Sequence, residues 1–393
     1  MYSPQHSRSP EGSQPPHAPG LEATRRLLCR AGLVAACLAL PLPALSADRI
    51  VIQGQASAEG WQTGEQSLLL SRNEGDPAAQ GRLRLWIAGQ IAPRLQGMIL
   101  GRFTQGESGE YATTEGSEVA LEHAWIRWSL PGSMPLVAQA GRMPQPIGGY
   151  SRRYLPHQNP LIGAPVTYDI TYPVAIQLTG SAGIADFTVA VSDQPVGHQI
   201  WLPRATSAPR PALAAGVTPF TGFRIGAYGT WGPYLSDGIQ EYIPSGHSWD
   251  EYDQSVIGFD VSFSRGHFEL FAEMTRSMFE MPGDTDERGI VWYIEPRYTW
   301  SPRWFTALRI ERNYQASSWF PYPGTSAWYI TDENSWDIEA GGGFRINPGM
   351  LIKASYRAER STEYPNYVTE IDHAIALQFA YSFDVTSWIE GKE

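Results

Sequence analysis

Residues 256–274 read VIGFDVSFSRGHFELFAEM. In the first half, Ile257, Phe259, Val261 and Phe263 alternate with Gly258, Asp260 and Ser262. In the second, Phe268, Leu270 and Met274 oppose His267, Glu269 and Glu273. A period of two puts each set on one face of an extended strand. Between the halves stand Ser264, Arg265 and Gly266, residue types that tight hairpin turns use. The stretch therefore reads as two antiparallel strands, each with an apolar and a polar face.

The same reading extends in both directions. Trp336, Ile338, Phe344 and Ile346 oppose Asp337, Glu339 and Arg345. Ile352, Ala354, Tyr356 and Ala358 oppose Lys353, Ser355, Arg357 and Glu359. Sixteen strands are expected, within 50–58, 82–92, 95–105, 117–130, 135–143, 172–180, 184–192, 211–218, 221–231, 254–263, 267–278, 288–300, 303–314, 335–346, 349–360 and 371–383. Short connections fall at Ala92–Arg94, Pro131–Met134, Ser181–Gly183, Pro219–Phe220, Ser264–Gly266, Ser301–Pro302 and Asn347–Pro348. They alternate with long polar ones, of which 144–171 is the longest well-defined.

Tight turns at one end and long loops at the other are the pattern of an all-β, transmembrane, antiparallel up-and-down β-barrel. The strands of a soluble β-sandwich or propeller also alternate. Two features favour the membrane: charges of both signs on the polar faces, and aromatics beside the short turns. Trp128, Phe263, Phe268, Trp300 and Trp304 hold such positions, as an interfacial girdle requires. Sixteen strands enclose an aqueous channel.

The chain begins with a Pro- and Ser-rich leader, then Arg25, Arg26 and Arg30, then an apolar run from Ala31 to Leu45. This is the pattern of a secretory signal peptide, with cleavage expected after Ala47. Residues 1–47 are thus leader and signal, and 48–393 one barrel domain. Beyond the signal, no run of ~20 apolar residues could form a spanning helix. Both cysteines, Cys29 and Cys37, lie in the signal, so neither a disulfide framework nor a thiolate metal site is expected. The formal net charge of −11 argues against nucleic acid as a partner. Only Lys353 and Lys392 are lysines, so positive charge is nearly all arginine.

No His-x-x-x-His, His-Glu-x-x-His, Gly-x-Ser-x-Gly or phosphate-cradling Gly-x-x-x-x-Gly-Lys pattern occurs among His123, His157, His198, His247, His267, His373 and their surroundings. No catalytic residue, cofactor or metal is expected.

The sixteen-strand plan with a long third connection resembles the Gram-negative outer-membrane porins, in which that loop folds into the lumen. Gly141-Arg142-Met143-Pro144-Gln145-Pro146-Ile147-Gly148 resembles the Gly-x-x-x-x-Pro-x-Gly entry to this loop in phosphate-selective-type porins. Their lysine ladder is missing, so phosphate selectivity does not carry over. The resemblance implies an outer-membrane location, short turns on the periplasmic side and a homotrimer. Porins usually end on an aromatic residue; here Asp384 to Glu393 follow Phe383.

Assigning polar faces to the lumen gives a charge map. The first nine strands contribute Arg82, Arg84, Arg102 and Arg224, all basic. Later strands contribute Asp260, Glu269, Glu273, Glu295, Glu311, Asp337, Glu339 and Glu359, mixed with Arg297, Arg309, Arg345, Lys353 and Arg357. The third loop adds Arg152, Arg153 and His157 against Asp169. Opposed charges create a transverse field in a narrow pore, and rings of charge set ion preference. The expected function is passive diffusion of small hydrophilic solutes, with a weak anion preference set by Arg142, Arg152 and Arg153. The alternative is a substrate-dedicated or partner-gated barrel, and after it a barrel hydrolase. A competing reading of the arginines is that they pair with wall acids and brace the loop. The acidic outer loops, with Asp237, Glu241, Asp250, Glu251, Asp284, Asp286 and Glu287, suit solvent or divalent bridging to lipopolysaccharide, one expected partner beside outer-membrane lipid.

Overall fold

The computed structural model describes residues 50–64, 77–106, 117–165, 170–196, 208–282, 286–321, 328–363, 367–368 and 371–390. The leader, the cleavage point expected after Ala47, Asp169, His198 and Asp284 lie outside the described residues.

Sixteen long strands follow in chain order. They are β1 (Ile50–Thr63), β2 (Ala78–Ala92), β3 (Leu95–Gly106), β4 (Ser117–Ser129), β5 (Leu136–Arg142), β6 (Val174–Ala182), β7 (Ala185–Ser192) and β8 (Arg210–Phe220). Then come β9 (Phe223–Pro233), β10 (Asp253–Arg265), β11 (Phe268–Phe279), β12 (Glu287–Thr299), β13 (Trp304–Pro321), β14 (Trp328–Asn347), β15 (Met350–Glu363) and β16 (Asp372–Asp384). A two-residue strand, Tyr367–Val368, edges β15, and one short helix, α1 (Val385–Glu390), follows β16. Every long strand pairs antiparallel with its sequence neighbours, and β1 pairs with β2 on one side and β16 on the other. The sheet closes on itself, which removes the unpaired edge that an open sheet would present.

Each expected strand lies at or near its sequence position, and the turns are shifted by up to two residues. The β8–β9 turn is Thr221–Gly222 rather than Pro219–Phe220. Gly222 has φ +87°, a left-handed conformation that glycine adopts without strain. Pro219 instead sits at a register irregularity between Val217 and Phe220, where its missing N–H breaks no regular pairing.

Outward rows are apolar and exposed: Ile176 at 71 %, Leu377 at 60 % and Phe259, Ile257 and Ile352 among others. Inward rows hold the buried polar residues, from Glu273 and Glu295 to Lys353 and Arg357. At the short-turn end aromatics form a chain. Phe220 stacks on Phe223, Phe223 meets Phe263, and Phe263 meets Phe268, with centroids 5.1, 6.3 and 6.2 Å apart. Tyr298 with Trp300 and Trp304 with Phe344 continue it, each at 4.5 Å. This is the girdle expected from the sequence.

The wall is uneven. β5, β6 and β7 have 7, 9 and 8 residues, whereas β13 and β14 have 18 and 20. The third loop therefore leaves the sheet low, at Arg142, where the wall is shortest.

One irregularity changes the inner surface. Between β3 and β4, Leu100 pairs with His123 and Gly101 with Leu121, leaving Glu122 unpaired. This bulge moves the outward row from Val119 and Leu121 to Ile126 and Trp128. Glu122 is buried among inward residues, where it meets Arg84 and Arg102.

Candidate pore constriction

Of the third connection, residues 143–165 enter the lumen and are held there by side chains of the wall. Its first contacts are on the low side. Gln145 Nε2 donates to Ser192 Oγ at 3.2 Å and to the Gln194 carbonyl at 2.6 Å. Ile147 packs with Ala190, Val196, Ala212, Tyr228 and Val256. Small inward residues on β7 and β8 leave space for it.

The loop next meets β11 and β12. Gly148 has φ +77°, and a Cβ there would lie 2.6 Å from Glu273 Oε1. Glycine thus lets the backbone approach the carboxylate, and Gly149 N donates to Glu273 Oε2 at 3.0 Å. Tyr228 and Tyr293 hydroxyls donate to the same carboxylate at 2.7 and 3.2 Å. Arg153 pairs with Glu295, donates to Tyr293 Oη at 3.0 Å and lies 4.4 Å over the Phe271 ring.

Further on, the loop crosses to β13–β16 and β1. The amides of Ile162 and Gly163 both donate to Glu339 Oε1 at 3.2 Å. Arg309 donates to the carbonyls of Gly163 and Ala164, each at 3.0 Å. Lys353 Nζ donates to the carbonyls of Asn159 and Leu161 at 3.1 and 2.7 Å. Ile162 packs with Trp61, Ala78, Ala374 and Ala376. His157 faces the Gly349 carbonyl at 3.2 Å through Nε2, and Gln55 Nε2 and Ser382 Oγ at 2.9 and 3.2 Å through Nδ1. Gly349 is in the β14–β15 turn, so the loop reaches from the low rim to the short-turn end. Tyr154 lies under the Arg84 guanidinium at 5.2 Å.

Behind the loop, the wall charges are interlocked. Arg309 meets Glu295, Glu311 and Glu339 at 3.2, 3.4 and 2.6 Å. Arg357 meets Glu311, Asp337 and Glu359 at 3.4, 3.4 and 3.8 Å. Buried charges are tolerated only when paired and hydrogen-bonded. Charge-assisted bonds to the loop backbone are among the stronger ones available. These strands thus supply a rigid seat for the loop.

The expected basic wall is corrected by the structure. Arg84 pairs with Glu122 at 2.9 Å, and Arg102 with Glu118 and Glu122 at 3.2 and 3.5 Å. Arg224 pairs with Asp186 at 2.8 Å and Asp260 at 2.7 Å. Arg82 donates to Gln80. The signal for Glu122 was the change of apolar parity along β4. Asp186 alternates with Thr188 and Ala190 against Phe187, Val189 and Val191, so period two alone would have assigned it inward. Arg297 and Glu269 pair at 3.0 Å, and Arg345 donates to the Pro302 carbonyl at 3.3 Å.

The three arginines expected at the constriction part ways. Arg153 is buried and paired. Arg142 ends β5 in register with Ala124 and Val174, which belong to the outward rows, so the ladder does not group it with the loop arginines. Arg152 is exposed and has no ion pair among the described residues. Among the described residues no group of three His, Cys, Asp or Glu is arranged to hold a metal.

A closed sixteen-stranded barrel with an apolar exterior, an aromatic band and a charged interior is a transmembrane β-barrel. No protein-family model matches the chain, nor does any curated protein. Solved structures do. The outer membrane channel DcaP of Acinetobacter baumannii superposes with a TM-score of 0.60 at 10 % identity, over 85 % of this chain and 97 % of that one. OmpF of Salmonella typhi gives 0.57 at 12 % identity, over 85 % and 97 %. An anion-selective porin from Comamonas acidovorans gives 0.56 at 10 %, over 85 % and 99 %. The fold is that of the Gram-negative outer-membrane porins.

Proposed function

We propose that this barrel is an outer-membrane porin, a passive diffusion channel for small hydrophilic solutes narrowed by its third loop. The observation that carries this reading is the loop seated across the lumen on Glu273, Glu295, Glu339 and Lys353. A loop so held narrows a bore without needing to move.

Because most inner arginines have carboxylate partners, the net field is weak. The weak anion preference rests on Arg152, the exposed loop cation. The same barrel would sit in the outer membrane among lipid and lipopolysaccharide, as a homotrimer. What supports the trimer is the likeness of the fold to porins, one of which, OmpT of Vibrio cholerae, is described in a trimer form. A second reading, a substrate-dedicated or partner-gated channel, draws on the reach of the loop to the Gly349 turn.

Single-channel conductance of the refolded chain in a planar bilayer under a salt gradient tests both. Steady ohmic current with a small anion-directed reversal potential supports the porin. Silence from a folded barrel sinks it in favour of the gated channel.

A further inference from the structure

The last barrel strand does not end the chain. Asp384 Oδ1 accepts from Ser387 N at 3.2 Å, the N-cap arrangement that starts α1. Six residues cannot hold a helix by themselves, so its attachments to the barrel decide its existence. The first attachment is on β1. The β1–β16 ladder stops at the pair Gln53 and Asp384, which leaves Ile52 beyond the reach of β16. Thr386 Oγ1 takes over there, accepting from Ile52 N at 2.6 Å and donating to Ile52 O at 3.3 Å. The helix thus completes the backbone pairing of the seam where the barrel closes, in a setting where an unpaired amide is costly.

The second attachment is apolar. Trp388 stacks on Phe383 with centroids 5.4 Å apart and planes 7° from parallel. Phe383 stands in the outward row of β16 with Leu377, Phe379 and Tyr381, and meets Tyr381 at 5.6 Å. Trp388 therefore lies on the outer surface of the barrel, at the short-turn end, beside the aromatic band. It remains 56 % exposed, and Ile389 is 73 % exposed.

We propose that α1 is an interfacial anchor, whose Trp388 and Ile389 enter the phospholipid headgroup region on the short-turn side while Thr386 clasps the barrel seam. The occupant is lipid because the exposed pair continues the lipid-facing row of β16, and tryptophan favours this depth. The inference rests on the barrel spanning a membrane, so its test must separate the two.

Cys29 and Cys37 are the only cysteines. The full chain with Cys29→Ser and Cys37→Ser would carry a single fluorophore, at Leu377→Cys or at Ile389→Cys, in phosphatidylcholine–phosphatidylglycerol vesicles. Nitroxide lipids labelled at the headgroup or mid-chain, and aqueous iodide, serve as quenchers. The expected result is mid-chain quenching at position 377, with headgroup quenching and loss of iodide quenching at 389. Adding Trp388→Ala should restore iodide quenching at 389. Normal quenching at 377 with a label at 389 open to iodide and untouched by headgroup nitroxide would overturn the anchor alone. Failure at 377 would overturn the spanning barrel. Shielding at 389 without nitroxide quenching, growing with protein concentration, would mean a second copy covers α1 and would also overturn it.

Discussion

Lys353 on β15 points its ammonium at the carbonyl of Leu161 in the third loop, 2.7 Å away and 192 residues distant in sequence. The amine also reaches the Asn159 carbonyl, and no acidic side chain pairs with it among the described ion pairs. One of two lysines in the whole chain is thus spent on holding loop backbone rather than on facing solutes. The seat of the loop depends on this contact and on its neighbour, Glu339.

Lys353→Met keeps most of the side-chain volume and removes the donor. Two buried carbonyls then lose their partner, at ~1–3 kcal/mol for a buried polar group left unsatisfied. We expect larger and noisier single-channel current, with a lower unfolding temperature on heat-modifiability gels. Unchanged conductance would mean that the loop is held without Lys353.

Glu339→Gln should be more damaging. It weakens two amide contacts to the loop and the 2.6 Å pair with Arg309, itself fully buried. Breaking a buried pair costs ~3–5 kcal/mol when the remaining charge is left uncompensated; Arg309 keeps Glu295 and Glu311, so the loss here should fall at the low end of that range. Urea unfolding of the refolded barrel should show a loss of that order, and a change below about 1 kcal/mol would contradict the burial.

Arg152→Ala and Arg153→Ala separate selectivity from bracing. The first should move the reversal potential toward cations with stability unchanged. The second should destabilise the barrel, because Glu295 loses a buried partner, while moving selectivity less. If both variants shift reversal potential equally, the assignment of Arg152 is wrong.

Gly163→Ala tests the close approach directly. Its Cβ would lie 2.7 Å from Glu339 Oε2 and 3.1 Å from Arg309 Nη2. Those groups are fixed by their own pairs, so the loop must back away from β14. We expect a lower unfolding temperature and increased proteolysis between residues 150 and 165 in the native barrel. Resistance equal to wild type would show that the network yields instead.

His157 should make the loop tip acid-sensitive. Burial holds its imidazole below the ordinary histidine value; the Gly349 carbonyl opposes this, while Lys353 and Arg345 reinforce it. The unfolded chain therefore takes up a proton more readily than the folded one. The contribution is fully present above the unfolded value of ~6.5 and declines as pH falls below it. Protonation would also aim an Nδ1–H at the Gln55 amide nitrogen. Open-channel noise should rise between neutral and acid pH in wild type, and stay flat in His157→Gln.

The strands were readable because their evidence is local. In β10 and β11, Phe259 and Met274 alternate with Asp260 and Glu273, and every second residue meets lipid whatever the rest of the chain does. Turn positions needed more, since Gly222 and Pro219 both suit a turn and only strand register chose between them. The bulge at Glu122 leaves a parity change along β4 that the strand reading did not use, and its partners could not be read at all.

Sequence by itself determined the barrel, its sixteen strands and the aromatic band, whereas the entry of the third loop at Gly141–Gly148 was implied only by the resemblance to porins. Period-two patterning and turn chemistry act between near neighbours, so they survive without knowledge of the closed form. Tertiary structure alone decided which charges remain free. Glu122 with Arg84, Asp186 with Arg224, and Arg153 with Glu295 meet across 38, 38 and 142 residues. A charge far along the chain becomes a partner only when its strand is laid into the sheet beside or next but one to its mate, and that strand register turned an expected basic wall into a largely paired one.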